Sequence, residues 1–109
     1  MKIKSFLLIL FFSIISKFNI SYADEAKMKK GLEIFNETAG CAACHILKAA
    51  GAEGNIGPNL DTVSNLTLES VKDIVTYGLG VMPAFGEGGI LTKDEIDVVS
   101  FYVVNSIDK

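Results

Sequence analysis

Five consecutive residues, Cys41-Ala42-Ala43-Cys44-His45, hold both cysteines and the single histidine of this chain. Thiols are nucleophiles and soft metal ligands, and a neutral imidazole is the commonest metal-binding side chain. Two thiols three residues apart can each add to one vinyl group of a single haem. The adjacent imidazole then reaches the iron from one side, and C-x-x-C-H is the spacing of c-type haem attachment. Three other chemistries use a C-x-x-C pair. A dithiol redox motif usually sits on a βαβ scaffold, and no strand pattern is evident here. A structural zinc site needs four ligands, and two cysteines with one histidine cannot close it. A structural disulfide is permitted by export, but across so short a loop it constrains the chain little.

Two further elements bear on the same chemistry. Met82 lies in Tyr77-Gly78-Leu79-Gly80-Val81-Met82-Pro83. A methionine is ordinarily a filler of core gaps, but in a glycine-rich loop downstream of C-x-x-C-H it is a natural sixth ligand for iron. Gly78 and Gly80 let the backbone fold tightly against a flat ring, and Pro83 stiffens the approach. Met28 is a poorer candidate, because it falls on a core face. Gly57-Pro58 reads two ways: as an ordinary loop turn, or as the source of a carbonyl that accepts the second ring N–H of His45. Metal-ligating histidines normally have such a partner.

The elements that must position these residues read as three helices joined by glycine-rich loops. The first spans about 26–37, with Met28, Leu32 and Phe35 on one face and Gly40 ending it. A long loop follows His45; Gly51, Gly54, Gly57 and Pro58 mark it as turns, with no strand pattern. The second helix begins after Thr67, an N-cap residue, carries Leu68, Val71, Ile74 and Val75 at helical spacing, and stops at Gly78. The third opens on a capping box, Thr92 with Glu95, with Leu91 and Ile96 placed as a hydrophobic staple. Ile96, Val99 and Val103 form its inner face with Tyr102 alongside. The pairs Val98-Val99 and Val103-Val104 also suit a strand, but the cap and spacing favour helix.

The chain has 109 residues, enough for one domain. Residues 1–23 read as a secretory leader: Lys2 and Lys4, an apolar run from Phe6 to Ile15 broken only by Ser13, then Ser21-Tyr22-Ala23 as a cleavage site. The run is shorter than the roughly 20 apolar residues a spanning helix needs, and Lys17 and Asn19 follow it, so no stable membrane anchor is expected after removal. The expected domain is therefore 24–109. Ten lysines, no arginine and thirteen acids give a formal charge of −3. Three of those lysines fall in the leader, so the exported chain is more acidic still. Such a chain is a poor ligand for nucleic acid or anionic membranes. A domain this small buries only about 60% of its unfolded surface and usually borrows stability from a disulfide, metal or cofactor.

Taken in order, Cys41-Ala42-Ala43-Cys44-His45, Gly57-Pro58-Asn59-Leu60 and Tyr77-Gly78-Leu79-Gly80-Val81-Met82-Pro83 resemble a class I cytochrome c of the small bacterial periplasmic type. The resemblance implies an all-α class I cytochrome c fold, about three main helices wrapped around one covalent haem c. It implies attachment through Cys41 and Cys44, His45 and Met82 as axial ligands, and the Pro58 carbonyl behind His45. It also implies terminal helices that cross through Gly31 and Phe35 on one side and Tyr102 on the other. The expected function is periplasmic transfer of single electrons between redox proteins. The donor would be a dehydrogenase or respiratory complex, and the acceptor an oxidase or another cytochrome. Phe35, Leu60, Val71, Ile74 and Phe85 are the expected pocket walls. Residues 44–54 together with 80–85 are also similar to the small cytochrome that accompanies periplasmic sulfite dehydrogenases, which makes an electron-accepting subunit the alternative. A haem-free thiol protein is the third reading. The acidic balance departs from relatives that dock through a lysine-rich face.

Overall fold

The computed structural model describes residues 22–109. The expected leader lies outside them except for Tyr22 and Ala23, which lie within the first helix. No helix among the described residues is long and apolar enough to cross a membrane. Helix α1 covers 22–33 and continues into a wider turn, Ile34–Thr38, where the Ala39 N–H reaches back five residues to the Ile34 carbonyl at 2.9 Å. It is already helical at residue 22, four residues before the start the sequence suggested, since nothing in Tyr22-Ala23-Asp24-Glu25 breaks a helix. Gly40, at φ 69°, turns the chain out of it in a left-handed conformation that glycine adopts without strain.

The segment read as a strandless loop contains a small antiparallel ribbon. Strand β1, Ile46–Leu47, pairs with β2, Ala52–Glu53, around a tight turn at Lys48–Ala50. Strands of two residues are too short to show an alternating pattern, so periodicity could not reveal them. The ribbon is held because Leu47 and Ala52 face each other across it and are both buried.

Helices α2, Leu68–Tyr77, and α3, Lys93–Ser106, begin where their caps predict. The Ser70 N–H donates to Thr67 Oγ1 at 3.1 Å, and the Thr67 N–H donates to Ser70 Oγ at 3.0 Å. The Glu95 N–H donates to Thr92 Oγ1 at 3.1 Å, and the Thr92 N–H donates to Glu95 Oε1 at 3.0 Å. Each box satisfies two otherwise orphaned amides, an effect usually worth about 1 kcal/mol. Leu91 and Ile96 are both buried at the head of α3, as the staple requires.

Helix α3 packs on both other helices. A Cβ at Gly31 would collide with Tyr102 Cβ, so the α1–α3 crossing needs a glycine there. Phe35 and Tyr102 meet with ring centroids 6.0 Å apart and planes tilted by 57°, a favourable aromatic geometry. Lys27 Nζ sits 4.3 Å from the Phe101 ring centre on the same seam. Ile34, Phe35, Leu47 and Val99 are the most completely buried apolar side chains.

Candidate functional site

Cys41–Ala43 forms one turn of 3₁₀ helix directly after Gly40. Side chains three residues apart eclipse in such a turn, so the Cys41 and Cys44 thiols leave the backbone on one side. Both are free and both line one cavity of about 450 Å³. Burial pushes the Cys41 thiol up to about 11, with the neighbouring Cys44 adding to the shift. Catalytic dithiols need the opposite displacement of their attacking thiol, toward thiolate, and Cys41 is displaced away from it.

His45 follows at once and lines the same cavity. Its Nδ1 lies 2.8 Å from the Pro58 carbonyl oxygen. A carbonyl only accepts, so the ring proton is on Nδ1 and the Nε2 lone pair is left for a metal. Of the two readings of Gly57-Pro58, the structure makes the second contact. The Gly57 N–H donates to the Cys44 carbonyl at 2.7 Å and the Leu60 N–H to the Ile46 carbonyl at 3.0 Å, which holds residues 57–60 alongside 44–46.

Met82 comes from the far side of the chain. Gly78 closes α2 at φ 76°, and a Cβ there would lie 2.7 Å from the Met82 carbonyl oxygen and 2.9 Å from the Ala84 nitrogen. Leu79 and Met82 exchange backbone hydrogen bonds of 3.2 and 3.0 Å around Gly80-Val81, with Gly80 at φ 59°. The turn turns Met82 inward, half-buried against the core and lining the same cavity as His45. The Phe85 N–H then donates to the Val75 carbonyl at 2.9 Å and returns the loop to α2.

All five expected walls, Phe35, Leu60, Val71, Ile74 and Phe85, line the cavity, joined by Val75 from α2 and by Val99 and Val103 from α3. No lysine or carboxylate is among the lining residues. The volume falls within the ~300–1,000 Å³ typical of cofactor sites. Two thiols on one side, an imidazole with Nε2 free, a thioether and apolar walls fit a flat, apolar, iron-bearing ring. The sequence reading missed the rim, where Ile56, Leu79 and Val81 are 70%, 69% and 91% exposed. It also missed the contact of Gly57 with His45, since a glycine offers no side chain to signal it.

Residues 26–103 match the family described as "Cytochrome C oxidase, cbb3-type, subunit III". The c-type cytochrome SorU from Sinorhizobium meliloti is 44% identical, with a TM-score of 0.70 over 78% of this chain and 95% of that one. Cytochrome c6 of Gloeothece citriformis is 37% identical over 82 residues, which are 72% of this chain and 71% of that protein. The cbb3-type cytochrome c oxidase subunit FixP of Bradyrhizobium sp. is 38% identical over 86 residues, 68% of this chain but only 28% of FixP. The three-helix architecture, the site and these matches agree, and the chain belongs to the cytochrome c family, as an electron-transfer cytochrome with the class I fold.

Proposed function

We propose that the chain carries single electrons on one haem c bound covalently through Cys41 and Cys44, with His45 and Met82 as axial ligands and the Pro58 carbonyl backing His45. The observation that carries this reading is the convergence of all four side chains on one apolar cavity, with His45 Nδ1 already committed to Pro58. When bound, haem supplies a one-electron couple, and a thioether ligand raises its potential. The chain's own residues do the rest. Met82 and His45 would hold the iron between them and leave no position for substrate. Phe35, Val71, Ile74 and Phe85 exclude water and favour the less charged, reduced state. Export after removal of 1–23 to a periplasm is part of the same proposal, and redox proteins are the partners.

A second reading, an electron-accepting subunit of a periplasmic oxidoreductase such as a sulfite dehydrogenase, draws on the rim. Ile56, Leu79 and Val81 surround the cavity mouth without a charged neighbour in its lining. Apolar rims suit lasting contact with a partner better than charge-steered encounters. The resemblance of 44–54 and 80–85 to the cytochrome of sulfite dehydrogenases, and the 44% identity to SorU, support it. Native size-exclusion chromatography of the periplasmic extract separates the two: a shuttle elutes as a monomer and a subunit with its oxidoreductase.

The test of the main reading is the denatured intact mass after expression in a periplasm with haem-attachment machinery. A mass equal to residues 24–109 plus one haem is expected. A haem-free mass, in a host that loads a control c-type cytochrome, would leave Cys41 and Cys44 as a thiol pair.

A further inference from the structure

The back of the attachment turn is covered by bare backbone. Beyond β2 the chain runs through Gly54-Asn55-Ile56-Gly57-Pro58 and returns along residues 43–45. A Cβ at Gly54 would lie 2.6 Å from the Ala43 carbonyl carbon and oxygen and from the Cys44 nitrogen. A Cβ at Gly57 would lie 2.6 Å from His45 Cε1, 2.9 Å from Nδ1 and 3.1 Å from Nε2. A side chain at Gly57 would thus run into the Cε1 corner of the imidazole, between the nitrogen bonded to Pro58 and the nitrogen left free. Any side chain larger than hydrogen would force the ring or the residue 57 backbone to shift.

We propose that Gly57 is a positioning residue for the His45 imidazole. Its missing side chain leaves the ring room for the rotation in which the Nδ1–H bond to the Pro58 carbonyl is short. This inference rests on His45 being the haem ligand. A short Nδ1–H···O bond makes the other nitrogen a stronger donor, which stabilises the oxidised metal. Tipping the ring lengthens that bond, weakens Nε2 as a donor and favours reduction.

The experiment compares the holoprotein with Gly57→Ala and Gly86→Ala. Gly86→Ala is the control for steric cost, because its Cβ meets Thr76 and Ile96 at 2.9–3.0 Å and none of its closest contacts is to His45. Wild-type protein must first show a His-ligated haem c; its absence overturns both this inference and the reading beneath it. Gly57→Ala is then expected to change the pattern of hyperfine-shifted haem-methyl resonances in the ferric proton spectrum. It should also raise the reduced-to-oxidised ratio at fixed potential about threefold, or about 28 mV at 59 mV per tenfold change for one electron. Gly86→Ala should lose stability with both readouts at their wild-type values. Wild-type resonances and potential in Gly57→Ala, or equal changes in both variants, overturn the proposal. Should Gly57→Ala fail to mature, hydrogen exchange in the wild type decides. Protection of the Gly57 amide and the His45 ring N–H comparable to α3 core amides supports the clasp, and exchange at the rate of open loops overturns it.

Discussion

His45 and Met82 line one cavity but stand on unlike supports. The His45 segment is laced to its neighbours by Gly57 N–H to Cys44 O, Leu60 N–H to Ile46 O and the Nδ1 bond to Pro58, and it rests on a two-stranded ribbon. Asn36 Nδ2 adds a bond to the Ala50 carbonyl at 3.1 Å, which ties that ribbon's turn to the wide turn after α1. The Met82 loop closes mainly on itself, through the Leu79–Met82 pair, and is anchored where Phe85 bonds Val75. Leu79 and Val81 project into solvent beside it. Segments with few buried contacts open at lower free energy than laced ones. The thioether side is therefore where this site should yield first, and the imidazole side should stay closed until the domain unfolds.

The largest effect is expected from Met82→Ala. Removing the thioether should open an axial position to added imidazole and lower the potential on the order of 0.1 V, part of the ~0.8 V range that axial ligation spans. Optical titration and spectroelectrochemistry read both. An unchanged spectrum and potential would remove Met82 from the site and dissolve the contrast between the two sides.

Gly78→Ala sharpens the contrast without touching a ligand. Its cost combines φ 76° with a Cβ 2.7 Å from the Met82 carbonyl, so about 1–3 kcal/mol of local strain is expected. That strain should act on the loop alone. The expected result is an earlier loss of the methionine-to-iron absorption band in a urea titration, while α-helical circular dichroism unfolds close to the wild-type midpoint. Simultaneous loss of band and helix would mean that the Met82 loop and the core open as one unit.

The same contrast explains what the sequence could disclose. Thr67, Thr92 with Glu95, and the periodic apolar positions of α2 and α3 write their structure locally, within one turn, and they were legible. So were the walls Val71 and Ile74, because apolar spacing on a helix fixes the face it buries; Leu60 and Phe85, in loops, had only the resemblance to place them. Cys41, Cys44 and His45 are adjacent in sequence, so their convergence on one cavity was legible too. The ribbon at 46–53 was not, since its pairing depends on Leu47 meeting Ala52 across a turn and not on any repeat. Nor was the wide turn at 34–38, whose residues carry no pattern distinguishing it from the helix it continues. The room that Gly57 leaves for the His45 ring is a matter of tertiary spacing, and no residue pattern encodes that.

The smallest expected effect belongs to Asp61, which ties the laced side to the end of the chain. Its Oδ2 accepts from the Lys48 N–H and its Oδ1 from the Asp108 N–H, each at 2.9 Å. The Lys48 N–H, then the Asp108 N–H, hold the carboxyl below the usual carboxylate range. A pKa depressed by folding contributes stability that is fully present above the unfolded-state value and lost as pH falls through the folded one. Asp61→Asn should therefore flatten the acid limb of stability. The gap between variant and wild-type urea midpoints at pH 7 should narrow toward roughly pH 3. Exposure and salt screening keep that gap small. Because the tie reaches Lys48 and not residues 78–85, the methionine band at neutral pH should be the same in both proteins. A weakened band in Asp61→Asn would show that the two sides share supports the static contacts do not reveal. Parallel pH profiles would remove Asp61 from the account of why the histidine side holds.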